Sequence, residues 1–180
     1  MKFPLRILLC LTLVASCTGQ SLQQIYDAQE KKIDSFVSAQ TAKEDLRVEY
    51  NGGSVRVVLK EGTEDQTLSA GGTVSFYYAG YVLSGTNVSN SSLFETNSKD
   101  IADKAGWKLT DESVFSIVTT ALDSGDLLKG LQNGLLGVKP GEECYILFSG
   151  KYGYGKKPAG TIPAKSALVY HIWVESISND

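Results

Sequence analysis

The histidine and cysteine content of this 180-residue sequence limits the chemistry that it could carry out. It contains one histidine and three cysteines, so chemistry that needs paired histidines is excluded, and no Cys/His spacing resembles a metal site. Cys144 alternates with Ile146 and Phe148 as in a strand, which indicates a small buried core residue rather than a reactive thiol. His171 directly follows Tyr170, and strand alternation predicts a structural role for it on the opposite face of the sheet.

The composition is that of one ordinary globular domain with some additional chain. Hydrophobic residues make up 42% and charged residues 21% of the sequence, which provides a core and does not indicate disorder. The net charge is only −3 and no basic stripe is present, so nucleic acid is not an expected partner. No motif calls for a metal or another cofactor, and we expect none.

The first residues have the pattern of a targeting segment. Lys2 and Arg6 form a basic start, and the apolar run from Ile7 to Val14 is too short to span a membrane as a mature helix. The small residues before Cys17 resemble a bacterial lipobox, in which the cysteine is acylated and becomes the new N-terminus. We therefore interpret residues 1–16 as a lipoprotein signal peptide and Cys17 as the lipid anchor. An ordinary secretory signal with a chance cysteine is the alternative.

The residue after the predicted anchor bears on localisation. Thr18 stands there instead of Asp, which resembles the sorting pattern for the outer membrane of Gram-negative bacteria. We expect the protein in the bacterial cell envelope, held at the outer membrane and facing the periplasm. Several acyl chains on one residue would make that attachment stable.

Residues 17–45 should form a lipid-anchored tether and an amphipathic helix. Apolar residues recur at helical spacing from about Leu22 to Val37. Their stripe must pack on the main domain or on a second copy, and self-association through the 22–37 helix stays open. The helix lies outside the motifs described below, so we expect deletion of residues 18–45 to leave peptide binding within a few-fold.

The rest of the chain predicts an α+β fold, a mostly antiparallel sheet with one main helix against it. Ser98 could cap a short helix that ends at Gly106. The main helix is predicted from the shared apolar face of Leu127, Leu128, Leu131, Leu135 and Val138. The predicted strands are residues 55–59, 73–83, 114–122, 143–148 and 167–177.

Six segments, in order from about Leu46 to Ser178, resemble the FKBP domain. They are Gly72–Gly80 (GTVSFYYAG), Leu93–Thr96 (LFET), Leu127–Leu131 followed by Gly134, Val138–Glu142, Tyr152–Gly155 (YGYG), and Thr161–Pro163 followed by Leu168–Tyr170. The resemblance implies an FKBP-like domain over residues 46–180, with a twisted antiparallel sheet wrapped on one main helix and an extra N-terminal helix. It also implies peptidyl-prolyl cis-trans isomerase activity, in a bacterial lipoprotein subgroup.

The resemblance further implies a proline-binding pocket. Its walls would be the aromatic rings of Tyr78, Phe94 and Tyr170, its floor Leu131, and its rim Leu127, Leu128 and Ile162. The hydroxyl of Tyr154 and the backbone N–H of Leu128 would donate to substrate carbonyls. Tyr77 and Tyr152 are expected to be structural.

Two positions depart from the most active relatives. Leu131 replaces a tryptophan at the floor, and Glu95 replaces the aspartate that follows the wall phenylalanine. We therefore expect weak to moderate isomerase activity on proline-containing polypeptide clients of the envelope. The alternatives are an FKBP-fold peptide-binding module or holdase with little turnover, and an accessory subunit of an envelope complex that docks through the Leu22–Val37 helix.

Overall fold

The computed structural model describes residues 20–63 and 66–179, which form one seven-stranded sheet with helices on both of its faces. The strands are β1 (Arg47–Asn51), β2 (Ser54–Lys60), β3 (Thr73–Val82), β4 (Leu93–Thr96), β5 (Val118–Ala121), β6 (Glu143–Phe148) and β7 (Leu168–Ser178). The helices are α1 (Leu22–Thr41), α2 (Lys99–Lys104) and α3 (Lys129–Leu135). The predicted α+β architecture is confirmed.

Strand pairing is antiparallel throughout, in the order β1-β2-β6-β7-β3-β4. The long strand β3 pairs with β7 on one side. Its other side is shared, because β5 pairs along Thr73–Phe76 and β4 along Ala79–Tyr81. This division brings two segments that are distant in sequence to neighbouring positions on β3.

Helix α3 packs closely against one face of the sheet. A Cβ added to Gly130 would lie 2.1 Å from the ring of Phe148, and one added to Gly134 would lie 2.2 Å from Ile146. Only glycine permits this approach of the helix backbone to the sheet. Leu131, between these two glycines, joins the core cluster on that face.

Helix α1 covers the other face of the sheet. A capping box between Ser21 and Gln24 starts the helix, as expected when a serine precedes a glutamine by three residues. Ile33 and Phe36 are almost completely buried, at 1% and 0% exposure, in a cluster with Val57 and other sheet residues. The predicted helix is confirmed and continues to Thr41, and its apolar stripe packs on the main domain rather than being left for a second copy.

Two predicted elements are shorter than expected. The strand predicted from residue 114 begins only at Val118, because the Asp111 side chain accepts a 2.9 Å hydrogen bond from the Ser113 N–H and starts a short 3-10 helix, Glu112–Phe115. The main helix begins at Lys129, since the backbone of Leu128 is extended, with ψ 144°. Leu127 and Leu128 therefore precede α3, and Val138 follows its end at Leu135, so these three residues do not lie on the helix.

The predicted signal peptide and the acylation of Cys17 lie outside the described residues. Within residues 20–63 and 66–179, no helix is long and apolar enough to cross a membrane. The predicted boundary between residues 45 and 46 stays a prediction, although α1 shares a core with the sheet.

Candidate active site

A cleft of about 370 Å³ opens between β3, β5, β7 and the start of α3. Seven of the nine residues predicted for the pocket line it: Tyr78, Glu95, Leu127, Leu128, Leu131, Tyr154 and Tyr170. The other two, Phe94 and Ile162, line an adjoining depression of about 260 Å³ that shares Glu95 and Tyr154 with the cleft. The structure thus brings all nine together, in two connected parts.

Five further residues line the cleft and were missed from the sequence: Phe76, Val118, Thr119, Thr120 and Asp126. Phe76 carried a usable signal, because it lies two positions before Tyr78 on one strand and therefore faces the same side. The segment from Val118 to Thr120 carried none. It reaches the cleft only because β5 pairs with the first half of β3.

The aromatic walls come from neighbouring strands. Tyr170 is 2% exposed, with its ring centroid 6.0 Å from that of Tyr78 and 5.7 Å from that of Phe94, the latter in an edge-on arrangement. On its other side the Tyr170 ring stacks on Phe148 at 5.9 Å. Contacts of this kind favour fixed ring orientations, so the walls are rigid parts of the core.

A buried arginine fixes the end of the floor helix. Arg56 on β2 is 2% exposed, and its Nη1 donates 2.8 Å hydrogen bonds to the carbonyl oxygens of Gly134 and Leu136. These carbonyls end α3 and would otherwise lack partners. Glu142 lies 3.2 Å from the Arg56 Nε and compensates the buried charge. The pair holds the helix that carries Leu131, which is itself only 6% exposed.

Glu95 adds a negative charge to the cleft, whose lining also includes Asp126. Its Oε1 accepts a 2.6 Å hydrogen bond from the Tyr170 hydroxyl. Burial raises the pKa of Glu95, and the bond from Tyr170 opposes that rise. Burial, followed by the charge of Glu95, raises the pKa of Tyr78 to about 12 and also raises the pKa of Tyr154. All these phenols therefore stay protonated at neutral pH and can act as hydrogen-bond donors.

Two donors were predicted for substrate carbonyls. The Tyr154 side chain lines both parts of the cleft. Leu128 lies at the N-terminal end of α3, and within residues 20–63 and 66–179 its N–H donates to no other group. A free backbone donor at a helix start is suited to binding a carbonyl oxygen. The geometry is compatible with both predicted roles, which remain predictions.

The β6–β7 loop, residues 149–167, carries Tyr154 and Ile162. Its first half is tied to α3 by a 2.9 Å hydrogen bond from the Gly130 N–H to the Tyr152 carbonyl. The Tyr152 ring lies so close to Gly53 that a Cβ there would come within 2.2 Å of it. Tyr152 therefore packs structurally, as predicted, and does not line the cleft.

His171 and Cys144 have the structural positions predicted for them. His171 lies on the sheet face opposite the cleft, between the rings of Tyr145 and Trp173, with its Nε2 2.8 Å from Glu143. Cys144 is fully buried and burial raises the pKa of its thiol. In the described part of the chain, no group of three or more His, Cys, Asp or Glu side chains is arranged to hold a metal ion.

The sheet, the floor helix and the aromatic cleft define a class of protein. The sequence model of the FKBP-type peptidyl-prolyl cis-trans isomerases matches residues 64–175. The chain therefore belongs to that family, and the predicted FKBP-like fold is confirmed.

Similar proteins come from several kingdoms. FK506-binding protein 59 of Drosophila melanogaster is 30% identical over 125 residues, which cover 68% of this chain and 24% of that protein. A peptidyl-prolyl cis-trans isomerase structure from Pseudomonas syringae pv. tomato has a TM-score of 0.60 at 20% identity, covering 90% of this chain and 99% of that one. The FkpA structure from Escherichia coli has a TM-score of 0.56 at 17% identity, covering 87% and 62%. The structures show likeness of fold.

The chain spans about a quarter or less of the length of the first curated relatives that it matches. The aligned share is 24% of the Drosophila protein and 10% of the bovine isomerase FKBP10, the latter at 41% identity over 61 residues. Family membership rests on the match of the family model over residues 64–175.

Proposed function

We propose that this protein is a peptidyl-prolyl cis-trans isomerase that binds proline-containing segments of envelope proteins in the cleft. The observation that carries the proposal is the joining of an aromatic wall, the buried Tyr170 and the partly buried Tyr78, to an aliphatic floor, Leu131, with the hydrogen-bond donors of Tyr154 and Leu128 at the rim. Family membership supports the same reaction.

The chemistry requires no nucleophile and no metal. Rotation about the X–Pro bond is opposed by loss of amide resonance, with a barrier of ~18–20 kcal/mol, and exchange takes tens to hundreds of seconds. The planar amide is more charge-separated than the twisted one, so water stabilises it better. A dry cleft around proline therefore favours the twisted transition state, while Tyr154 and the Leu128 N–H hold the flanking backbone.

The direct test measures acceleration of X–Pro isomerisation and of a proline-limited refolding reaction by the lipid-free chain from Thr18. Phe94→Ala should lower kcat/KM by roughly 10–200-fold, since one apolar wall is worth about 1–3 kcal/mol. Tyr154→Phe should lower it less, because the Leu128 donor is backbone. Tyr145→Phe is the matched control, since Tyr145 is half-buried on the opposite face of the sheet. A folded wild type without any acceleration would refute the proposal.

A binding module or holdase with little turnover is the second candidate. It is favoured by Leu131, which is smaller than the tryptophan found at the floor in the most active relatives. It is also favoured by Glu95, which stands in the wall where those relatives have aspartate. The two candidates separate in one comparison: a holdase suppresses aggregation of a client in proportion to its concentration and leaves the proline-limited rate unchanged. An accessory role in an envelope complex would instead require a surface other than the buried stripe of α1.

We also propose that Cys17 is acylated and that the protein is anchored at the outer membrane, facing the periplasm. The support is the sequence pattern before Cys17 together with Thr18 after it. Wild type should take up labelled fatty acid and Cys17→Ala should not, and equal labelling of the two would refute the anchor. Fractionation of the envelope then tests the choice of membrane.

A further inference from the structure

The N-terminal helix reaches the loop that carries Tyr154. Gln29, on the second turn of α1, is partly buried against the β6–β7 loop. The Gly150 N–H donates a 2.8 Å hydrogen bond to the Gln29 Oε1. The Gln29 Nε2 donates in turn to the carbonyl oxygen of Lys165. One amide side chain therefore uses its acceptor and its donor on two residues that lie 15 positions apart in the loop.

Gly150 and Lys165, the two partners of Gln29, lie side by side where the β6–β7 loop begins and ends, and we call this pair the neck of the loop. A Cβ added to Gly150 would lie 2.8 Å from the carbonyl carbon of Lys165, so the two chain segments nearly touch. The Lys165 N–H donates to the Gly155 carbonyl, and the Gly155 N–H donates to the Gly150 carbonyl. Tyr154 lies inside this small hydrogen-bonded ring. Gln29 therefore binds the two residues that close the loop on either side of Tyr154.

The neck is also a strained place. Lys165 has a φ of 63°, and among the described residues it is the one non-glycine residue with a positive φ. A side chain disfavours this conformation, which persists where surrounding contacts hold it. The Lys165 peptide is held on both sides, by its own N–H to Gly155 and by its carbonyl to Gln29. Without Gln29, the carbonyl loses that fixed partner and the strained residue can relax.

We propose that Gln29 is a positioning residue for the peptide-binding cleft, clamping the neck of the β6–β7 loop so that Tyr154 and Ile162 face the substrate. The inference rests on the proposed function, because it concerns how the same cleft binds a proline-containing peptide. It revises the expectation that α1 is dispensable for peptide binding. The extra N-terminal helix then completes the site and does more than cover the sheet.

The helix supplies a matched control. Gln40 is another glutamine of α1 whose side chain binds a different segment of the chain. Its Nε2 donates a 2.8 Å hydrogen bond to the Thr86 carbonyl. Thr86 lies in the exposed turn after β3, outside the lining of the cleft. Gln40→Ala removes a comparable bond from the same helix without touching the β6–β7 loop.

The experiment compares Gln29→Ala and Gln40→Ala in the full-length protein. For each we would measure kcat and KM on an X–Pro peptide, the thermal midpoint, and hydrogen exchange at the Gly150 amide. Gln29→Ala should raise KM by roughly 3- to 10-fold, the equivalent of one or two net hydrogen bonds, with kcat nearly unchanged and exchange at Gly150 accelerated. A merely structural effect would instead reduce the folded fraction, lowering apparent kcat and leaving KM as it was. Gln40→Ala should keep the wild-type KM.

Two results would overturn the inference: an unchanged KM in Gln29→Ala, or an equal rise in Gln40→Ala. If Gln29→Ala fails to fold, Gln29→Glu serves the same purpose, since it keeps an acceptor for Gly150 and replaces the donor to Lys165 with an oxygen that repels the Lys165 carbonyl. If the wild type lacks isomerase activity, the proposed function fails. The clamp is then tested by the dissociation constant of the same peptide and by exchange at Gly150, both of which must respond to Gln29→Ala and not to Gln40→Ala.

Discussion

Removing the hydroxyl of Tyr170 should destabilise the protein in a way that depends on the charge of Glu95. Tyr170 is 2% exposed and donates a 2.6 Å hydrogen bond to the Glu95 carboxyl. Tyr170→Phe deletes the donor and leaves the carboxyl partly buried with one partner fewer. A bond to a charged group contributes about 1.5–3 kcal/mol and a neutral one about 0.5–1.5 kcal/mol. We therefore expect a loss of about 1.5–3 kcal/mol when Glu95 is ionised.

The sign of the pH dependence follows from the pKa of Glu95. Burial raises this pKa above its ordinary value of 4.5, so the stability contributed by its protonated form is fully present below that value and is lost as pH rises through the folded-state pKa. The bond from Tyr170 lowers the pKa and limits this loss. Without the hydroxyl, the pKa rises further and the loss grows. The difference between wild type and Tyr170→Phe should therefore increase with pH.

The assay is urea unfolding of wild type, Tyr170→Phe, Glu95→Ala and the double variant, at about pH 4 and about pH 8, with alanine chosen because it removes the acceptor altogether. The double-mutant cycle isolates the coupling between the two side chains. We expect a coupling of about 1.5–3 kcal/mol at the higher pH and roughly half of that in acid. A coupling below ~0.5 kcal/mol at the higher pH, or one of the same size at both, would refute the argument.

Three further predictions concern packing. Gly130→Ala should lower the unfolding free energy by about 1–3 kcal/mol or more, because its Cβ would lie 2.1 Å from the buried ring of Phe148. An unchanged urea midpoint would contradict the close approach of α3 to the sheet. Leu131→Trp should keep the fold at a cost of about 1 kcal/mol, since the cleft of about 370 Å³ beside it can receive the larger ring. The kcat/KM of this variant should rise, and a fall with the fold intact would show that the floor residue does not limit the rate. Cys144 is fully buried with a raised thiol pKa, so a thiol reagent should label it only after denaturation, and rapid labelling of the native protein would contradict its position in the core.

Local patterns in the sequence were sufficient for those features that depend on one element alone. The spacing of apolar residues predicted the buried stripe of α1, which includes Ile33 and Phe36. The alternation of apolar residues predicted β6 at Glu143–Phe148. Periodicity is sufficient for these elements because successive side chains of a helix or strand are rotated by a fixed angle. The spacing of apolar residues therefore identifies the buried face. The six family-like segments likewise contain the nine predicted pocket residues, which line the cleft and its adjoining depression and whose roles stay predictions.

Tertiary structure decided what depends on several elements meeting. Val118 and Thr119 line the cleft only because β5 pairs with Thr73–Phe76, a contact between strands about 45 positions apart that no local pattern encodes. Gln29 looked like one more polar residue on an amphipathic helix. Its role depends on α1 lying across the sheet so that its amide meets the neck of a loop more than 120 positions away. Spacing along the chain determines which face of an element is buried. The partner of that face is determined by the packing of the whole domain, because side chains are buried and hydrogen-bonded against other elements.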